Sequence, residues 1–312
     1  ILDETVSKGG REMIDVCLLG TGGMMPLPDR ALTSLYVRCG GRVVLIDCGE
    51  GTQTAIRRAS LRFKPIETIL ITHFHADHIS GLPGLLLTLG NEGRTEDLHM
   101  YGPVGLERVV TSLRIIVGEL PFGIVYHELR TGEETVFSSA GLEGLAFPLD
   151  HGMPCFGYRL ELKRPGRFDP VRAKERGVPV VLWSRLQKGE ALEGYFPEDV
   201  LGEPRTGLKL LYATDSRPVA RMTQLAENVD LLILEGMFGQ AEKLERAKEA
   251  RHMLMQEAAQ IAREADAKQL WLTHFSPANP EPEQFLEELQ SIFPETCIGT
   301  DGLYMELRFS EP

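Results

Sequence analysis

Several things are scarce in this 312-residue chain, and each scarcity excludes a class of protein. Its five cysteines, Cys17, Cys39, Cys48, Cys155 and Cys297, are odd in number and lack paired ligand spacing. That excludes a disulfide scaffold and a thiolate zinc knuckle, and it reads as reduced thiols in a cytoplasmic protein. No window approaches the roughly 20 apolar residues that span a bilayer, so no membrane role is expected. The first residues, Ile1-Leu2-Asp3-Glu4, are acidic and carry no signal-peptide pattern. Low-complexity tracts and short-period repeats are absent. Positive charge is in deficit, with a formal net charge of −12. Such a balance opposes nonspecific binding to polyanions, so any nucleic-acid function must concentrate its basic residues locally. The glycines of Leu19-Gly20-Thr21-Gly22-Gly23 lack the spacing and the acidic partner of a dinucleotide fingerprint, and read as a tight turn after a first strand. The remaining composition, 43% apolar and 25% charged, is that of a soluble globular chain of one large or two ordinary domains.

What the chain does contain is concentrated in His73-Phe74-His75-Ala76-Asp77-His78, directly after the apolar run Thr68-Ile69-Leu70-Ile71-Thr72. Imidazole nitrogens and carboxylate oxygens are the ligands that zinc and similar borderline metals take. Alternate residues of an extended strand point to opposite faces, so a turn must gather these side chains. His73 and His75 then suit one ion, and Asp77 and His78 a second one nearby.

A two-metal site needs further ligands. Four other segments read as buried strands ending in a ligand type. Arg42–Ile46 ends at Asp47, Gly144–Leu149 at Asp150 and His151, Leu208–Thr214 at Asp215, and Gln269–Thr273 at His274. Open α/β sheets place their sites at such carboxyl ends. Asp47 either holds an imidazole from behind or caps the next turn; Met253 and Met255 read as core fillers. Helical patterns cover Gly51–Ser60, Leu82–Leu89, a stretch near Met222, Lys243–Ala265 and Pro282–Ile292, with Pro277 to Pro282 forming a turn.

The run from His73 through Gly84, together with Asp47-Cys48-Gly49-Glu50-Gly51-Thr52-Gln53, Thr214-Asp215-Ser216-Arg217-Pro218 and Arg164-Pro165-Gly166-Arg167-Phe168-Asp169, resembles the metallo-β-lactamase superfamily and, within it, the ribonuclease Z family of tRNA 3′-processing endonucleases. The resemblance spans about Ile14 to Leu307. It implies an α/β fold, the metallo-β-lactamase αβ/βα four-layer sandwich with an inserted flexible arm, as a single domain over 1–312 with the arm at 159–197. It implies two Zn2+ per subunit, one held by His73, His75, His151 and Asp215, the other by Asp77, His78, His274 and the shared Asp215. The implied activity is a zinc-dependent endoribonuclease that removes the 3′ trailer of precursor tRNA by metal-hydroxide attack, leaving a 3′-hydroxyl. Asp77 would orient or deprotonate the nucleophile, and His252 beside Glu235 would protonate the leaving ribose oxygen. Around these two, the chain departs from the common family pattern, reading Leu234-Glu235-Gly236-Met237-Phe238 and Arg251-His252-Met253-Leu254.

The basic residues sought above fall in the arm. From Arg159 to Lys188, nine cations face three acids, a local excess that suits RNA phosphates. Arg164, Arg167, Lys174 and Arg176 are the expected RNA contacts. Pro165, Gly166, Pro170 and Pro179 are expected to break regular structure there. The family resemblance implies a homodimer whose arm clamps tRNA at the partner's site. Two other readings share the metal cluster: a phosphodiesterase of the same fold acting on small phosphodiesters, and a non-catalytic RNA-binding relative.

Overall fold

A computed structural model describes residues 13–279 and 281–309; Ile1–Glu4 and Pro280, within the expected Pro277–Pro282 turn, lie outside them. The first seven-stranded sheet contains β1 (Met13–Gly20), β2 (Ser34–Cys39), β3 (Arg42–Ile46), β4 (Ile66–Leu70), β5 (Leu98–Pro103) and β6 (Ile124–Leu129). The second contains β7 (Thr135–Ser139), β8 (Leu142–Pro148), β9 (Phe156–Arg164), β10 (Arg205–Ala213), β11 (Leu231–Glu235), β12 (Leu270–Thr273) and β13 (Thr296–Ile298). The last strand, β14 (Tyr304–Arg308), returns to the first sheet beside β1. The orders are β14-β1-β2-β3-β4-β5-β6 and β13-β12-β11-β10-β9-β8-β7, so each sheet grows outward from its own sequential strands.

The strands read as continuous apolar runs because both faces of each sheet are covered. In β1, Ile14, Val16 and Leu18 face the other sheet, where they meet Tyr158, Tyr212, Ile233 and Trp271 in one buried cluster. Their neighbours Cys17 and Leu19 point the opposite way, onto Ile56, Leu82 and Leu86 of the helices Thr52–Arg58 and Leu82–Asn91. The second sheet is covered likewise by the helices Ala220–Leu225, Met255–Glu264 and Leu286–Ile292. Helix, sheet, sheet, helix is the four-layer sandwich expected from the sequence. Met253 and Met255 are fully buried in its outer core.

The arm differs from expectation in one respect. Pro165 and Gly166 end β9 as expected, but Pro170 and Pro179 begin helices. Pro170 occupies the first turn of the helix Pro170–Glu175, where a missing N–H costs nothing, and Asp169 caps that helix by accepting from the Val171 and Arg172 amides at 3.0 Å. Pro179 precedes the helix Val180–Leu186. Ala173, Val178, Leu182, Leu186, Val200 and Leu201 give the arm a small apolar core of its own.

The two sheets are also tied by a buried polar contact. The Tyr158 hydroxyl, on β9, donates to the carbonyl of Ile71 just beyond β4 at 2.7 Å. Tyr158→Phe strands that carbonyl in a dry interior and should lower unfolding stability by about 1–3 kcal/mol, read from urea denaturation monitored by circular dichroism; an unchanged midpoint would remove the contact's assigned role.

Candidate active site

At one edge of the sandwich the carboxyl ends of several strands converge. Asp47 follows β3 directly, His73 follows β4 after two residues, Asp215 follows β10 after one, and His274 follows β12 directly. Three of these residues adopt left-handed backbone, with φ of 59° at Asp47, 56° at Asp215 and 56° at His274. That conformation is rare for side chains other than glycine. Here it turns each chain end sharply, so its side chain faces the common cleft.

The expected ligands meet in two groups. Ligand atoms of His73, His75, His151 and Asp215 all lie within 4.8 Å of one another, and so do those of Asp77, His78 and His274. His73 Nε2 is 2.9 Å from His75 Nδ1, and His151 Nε2 is 3.3 Å from the same atom. Across the cleft, His78 Nε2 is 3.2 Å from His274 Nε2. Asp215 lies between the groups, 3.9 Å from His73 Nε2 and 3.3 Å from both His78 and His274 Nε2. Its Oδ2 is buried and makes no well-formed hydrogen bond. Lone pairs of this many imidazoles pointed at one another, with an unsatisfied carboxylate oxygen between them, fit the donor set of a divalent cation. His99 and His127 are elsewhere and contact each other at 3.1 Å.

The electrostatics follow from burial and pairing. Burial alone would raise the carboxyl pKa of Asp77; its hydrogen bond from His274 and the charge of His78 outweigh that and hold it well below the usual range. Asp215 is likewise held low, burial being overcome by His274, His78 and His73. Burial depresses His73 strongly, while Asp215 and Asp47 keep His78 high against its own burial.

Asp47 is fully buried and holds an imidazole from behind. Its Oδ2 pairs with His78 Nδ1 at 2.8 Å, and its Oδ1 accepts from the Thr72 amide at 2.8 Å. The carboxylate bonds the turn after β4, 25 residues on, and not the turn that follows Asp47 itself. His252 is held in the cleft and is not the solvated start of a helix. The pattern Lys243–Ala265 splits into the helices Leu244–Ala250 and Met255–Glu264 because Arg251 takes φ of 56°. His252 sits in that break, its Nδ1 3.0 Å from Glu235 Oε2, while Glu235 Oε1 accepts from the Ser216 amide at 2.8 Å. Burial opposes charge on His252, but Glu235, and after it Asp215, hold its pKa up to about 9.

Some functional neighbours were invisible in the sequence. The Met24 amide donates to Asp77 Oδ2 at 2.7 Å, fixing the carboxylate that faces the cleft. Gly23 packs on the His274 ring, where an added Cβ would lie 2.7 Å from Cε1. Phe238, Lys243, Arg246 and Asn279 also line the cleft, a cavity of about 440 Å3. Among these, only the cations at positions 243 and 246, one helical turn apart, left any signal in the sequence.

The arm residues are placed away from this cleft. β9 begins beside it, with the Phe156 amide donating to the Thr72 carbonyl, and runs nine residues to Arg164. At about 3.3 Å per residue, the arm leaves the sheet roughly 25–30 Å from the histidines. Arg164 packs over Phe309 at 4.7 Å; Arg167 and Lys174 are exposed. Arg176 lies 3.9 Å from Asp199, Arg172 3.8 Å from Glu203, and Arg185 2.6 Å from Glu190. Residues 189–204 bring five acids and no cations, so the basic excess read from Arg159 to Lys188 is largely neutralised when the arm closes on itself.

Two facing seven-stranded sheets flanked by helices, with a His/Asp cluster at one edge, define a protein of the metallo-β-lactamase class. The descriptions "Metallo-beta-lactamase superfamily" and "Beta-lactamase superfamily domain" match residues 28–166 and 198–275, leaving the helical part of the arm between them. The fold alone does not select a reaction: a diphosphatase of the PhnP family shares it at 19% identity and a TM-score of 0.63, over 95% of this chain and 97% of its own. Sequence does select. The chain is 50% identical to the ribonuclease Z of Agathobacter rectalis over 96% of its own length and 100% of that relative, and it belongs to the ribonuclease Z family. The solved short form of human tRNase Z is similar at 28% identity and a TM-score of 0.69, covering 93% of this chain and 98% of the human one.

Asp47→Ala should weaken binding of divalent metal by about 10–100-fold, the usual effect of removing a carboxylate that orients a ligating imidazole. Competition with a chromogenic chelator measures this; unchanged affinity would mean that Asp47 serves the turn alone.

Proposed function

We propose that His73, His75, His151 and Asp215 hold one zinc ion, that Asp77, His78 and His274 with the shared Asp215 hold a second, and that the chain uses this pair to cut the 3′ trailer from precursor tRNA. Membership of the ribonuclease Z family carries the reaction class: the chain is a metal-dependent endoribonuclease of tRNA 3′-end processing. The observation that supports the site assignment is the meeting of seven side chains from distant segments in two ligand groups. A complete donor set argues against a non-catalytic relative. The near full-length identity to ribonuclease Z argues against a small-phosphodiester enzyme.

When bound, divalent cations lower the pKa of a water and offset phosphate charge. The chain's own residues do the rest. Asp77, kept ionised and held by the Met24 amide, orients or deprotonates the attacking water. Phosphorus gains the water oxygen and loses O3′ of the last tRNA nucleotide. His252, kept protonated by Glu235, gives its proton to O3′, which leaves the tRNA with a 3′-hydroxyl.

Residues 1–312 act as a single catalytic unit, with 159–197 as an RNA-holding arm contacting tRNA through Arg164, Arg167, Lys174 and Arg176. The arm's departure 25–30 Å from its own cleft favours a homodimer in which each arm serves the partner's substrate. A cytoplasmic setting suits a tRNA substrate and five unbridged thiols. Among the described residues, no helix is long and apolar enough to cross a membrane.

Elemental analysis of active protein should give about two zinc ions per chain, and mapping of 3′ ends should place the cut at the junction of tRNA and trailer; active protein free of stoichiometric metal would end this reading. His252→Ala and Glu235→Gln should each lower single-turnover cleavage about 10²–10⁴-fold while leaving tRNA affinity within a few-fold. Full-rate cleavage by either variant would remove the pair from the chemistry.

A further inference from the structure

The cleft contains groups that the chemistry above does not use. One wall is the segment from Met237 to Arg246, which joins β11 to the helix Leu244–Ala250. It brings Phe238, Lys243 and Arg246 into the same cavity as His75, Asp77, Asp215, His252 and His274. Phe238 is half-buried, and its backbone is pinned: its carbonyl accepts from the Met255 amide at 2.9 Å, and it bridges to Leu254. Its ring stands edge-on to His252, with centroids 6.3 Å apart and planes at 63°. Neither Lys243 nor Arg246 forms an ion pair among the described residues; Glu245, between them, bonds Lys248 at 2.7 Å.

A fixed aromatic ring with two uncompensated cations, in a cleft that receives a phosphodiester, is the combination that holds single-stranded nucleic acid: bases stack on the ring and phosphates meet the cations. The position of Phe238 also says which nucleotide it meets. His252 delivers its proton to O3′, so a ring against His252 lies on the side of the nucleotide that carries O3′. We propose that Phe238 is the stacking platform for the base of the last nucleotide of the mature tRNA, with Lys243 and Arg246 holding neighbouring phosphates of the same strand. This rests on the reading of His252 given above. Every base has a π-face, so such a platform fixes the terminal nucleotide without reading its identity. It therefore acts as a positioning residue that many tRNA sequences can share. It also places cations at the cleft itself, which a chain of net charge −12 with a largely self-neutralised arm requires.

The test uses the full-length protein and precursor tRNAs that carry an abasic site either at the last mature nucleotide or at the first trailer nucleotide. For the unsubstituted protein, removing the base at the last mature nucleotide should lower kcat/KM roughly 5- to 150-fold, the range that base–aromatic stacking supports, and removal at the first trailer nucleotide should cost far less. This measurement involves no mutation and cannot fail through misfolding. Phe238→Leu should show a similar loss on the intact substrate and little further loss on the abasic one, whereas Phe238→Trp should stay within a few-fold of the parent. The proposal is overturned if the sensitive position is the trailer nucleotide, or if Phe238→Leu loses the same factor on intact and abasic substrates. Unimpaired cleavage by His252→Ala is a separate result, and would remove the proton-donor reading while leaving the abasic comparison to locate the stacked base.

Discussion

A carboxylate taken out of water must be compensated or it destabilises the fold that buries it. Asp215 is 2% exposed, and its compensation comes from His73, His78, His252 and His274, all within about 4 Å. These residues arrive from the ends of β4 and β12, from the turn beyond β4, and from the break between two helices. The sandwich therefore cannot close correctly without assembling the cleft, and the cleft cannot keep its charge without the sandwich. The left-handed backbone at Asp47, Asp215 and His274 is the local cost, of order 1–3 kcal/mol each. It persists because the surrounding strands and hydrogen bonds over-determine it.

Three carboxylates around the cleft share one construction. Each accepts from a backbone amide on a different segment while facing an imidazole. Asp47 takes the Thr72 amide and His78; Glu235 takes the Ser216 amide and His252; Asp77 takes the Met24 amide and His274. A fourth, Asp301, is raised by burial yet held by the Ala31 and Thr21 amides, and it anchors the loop that delivers Met24. The loop after β1 thus helps hold the cleft's carboxylates, although its glycines read only as a turn in the sequence.

How much of this was legible depended on distance along the chain. The strands were readable because each is a short apolar run ended by a polar residue, and both faces of both sheets are buried. The ligands were readable because their chemistry is concentrated at those ends. The acids that pair with the arm's basic stretch were not legible within it, because Glu190, Asp199 and Glu203 lie beyond that stretch and return to it when the arm's small core forms. Pro170 and Pro179 looked like breakers because a helix start and a loop use the same residue. The break at Arg251, which carries His252 into the cleft, interrupts an otherwise unbroken helical pattern; only tertiary contacts with Glu235 and Arg217 decide it. Phe238 and Asn279 had no signal at all, since nothing local marks which apolar or amide side chain will border a cavity.

The β9–β10 pair has a geometric consequence. One end of these two paired central strands lies beside the turn that presents the histidines, and the other end leads into residues 165–204, so their length sets the distance between the cleft and that segment. Because facing alternates with every residue, lengthening both strands by an even number would carry the arm outward by about 6–7 Å per pair with all side chains still facing as before. An odd insertion would instead turn the inward row out to solvent. Any change in that distance would therefore come in discrete steps rather than as a continuum.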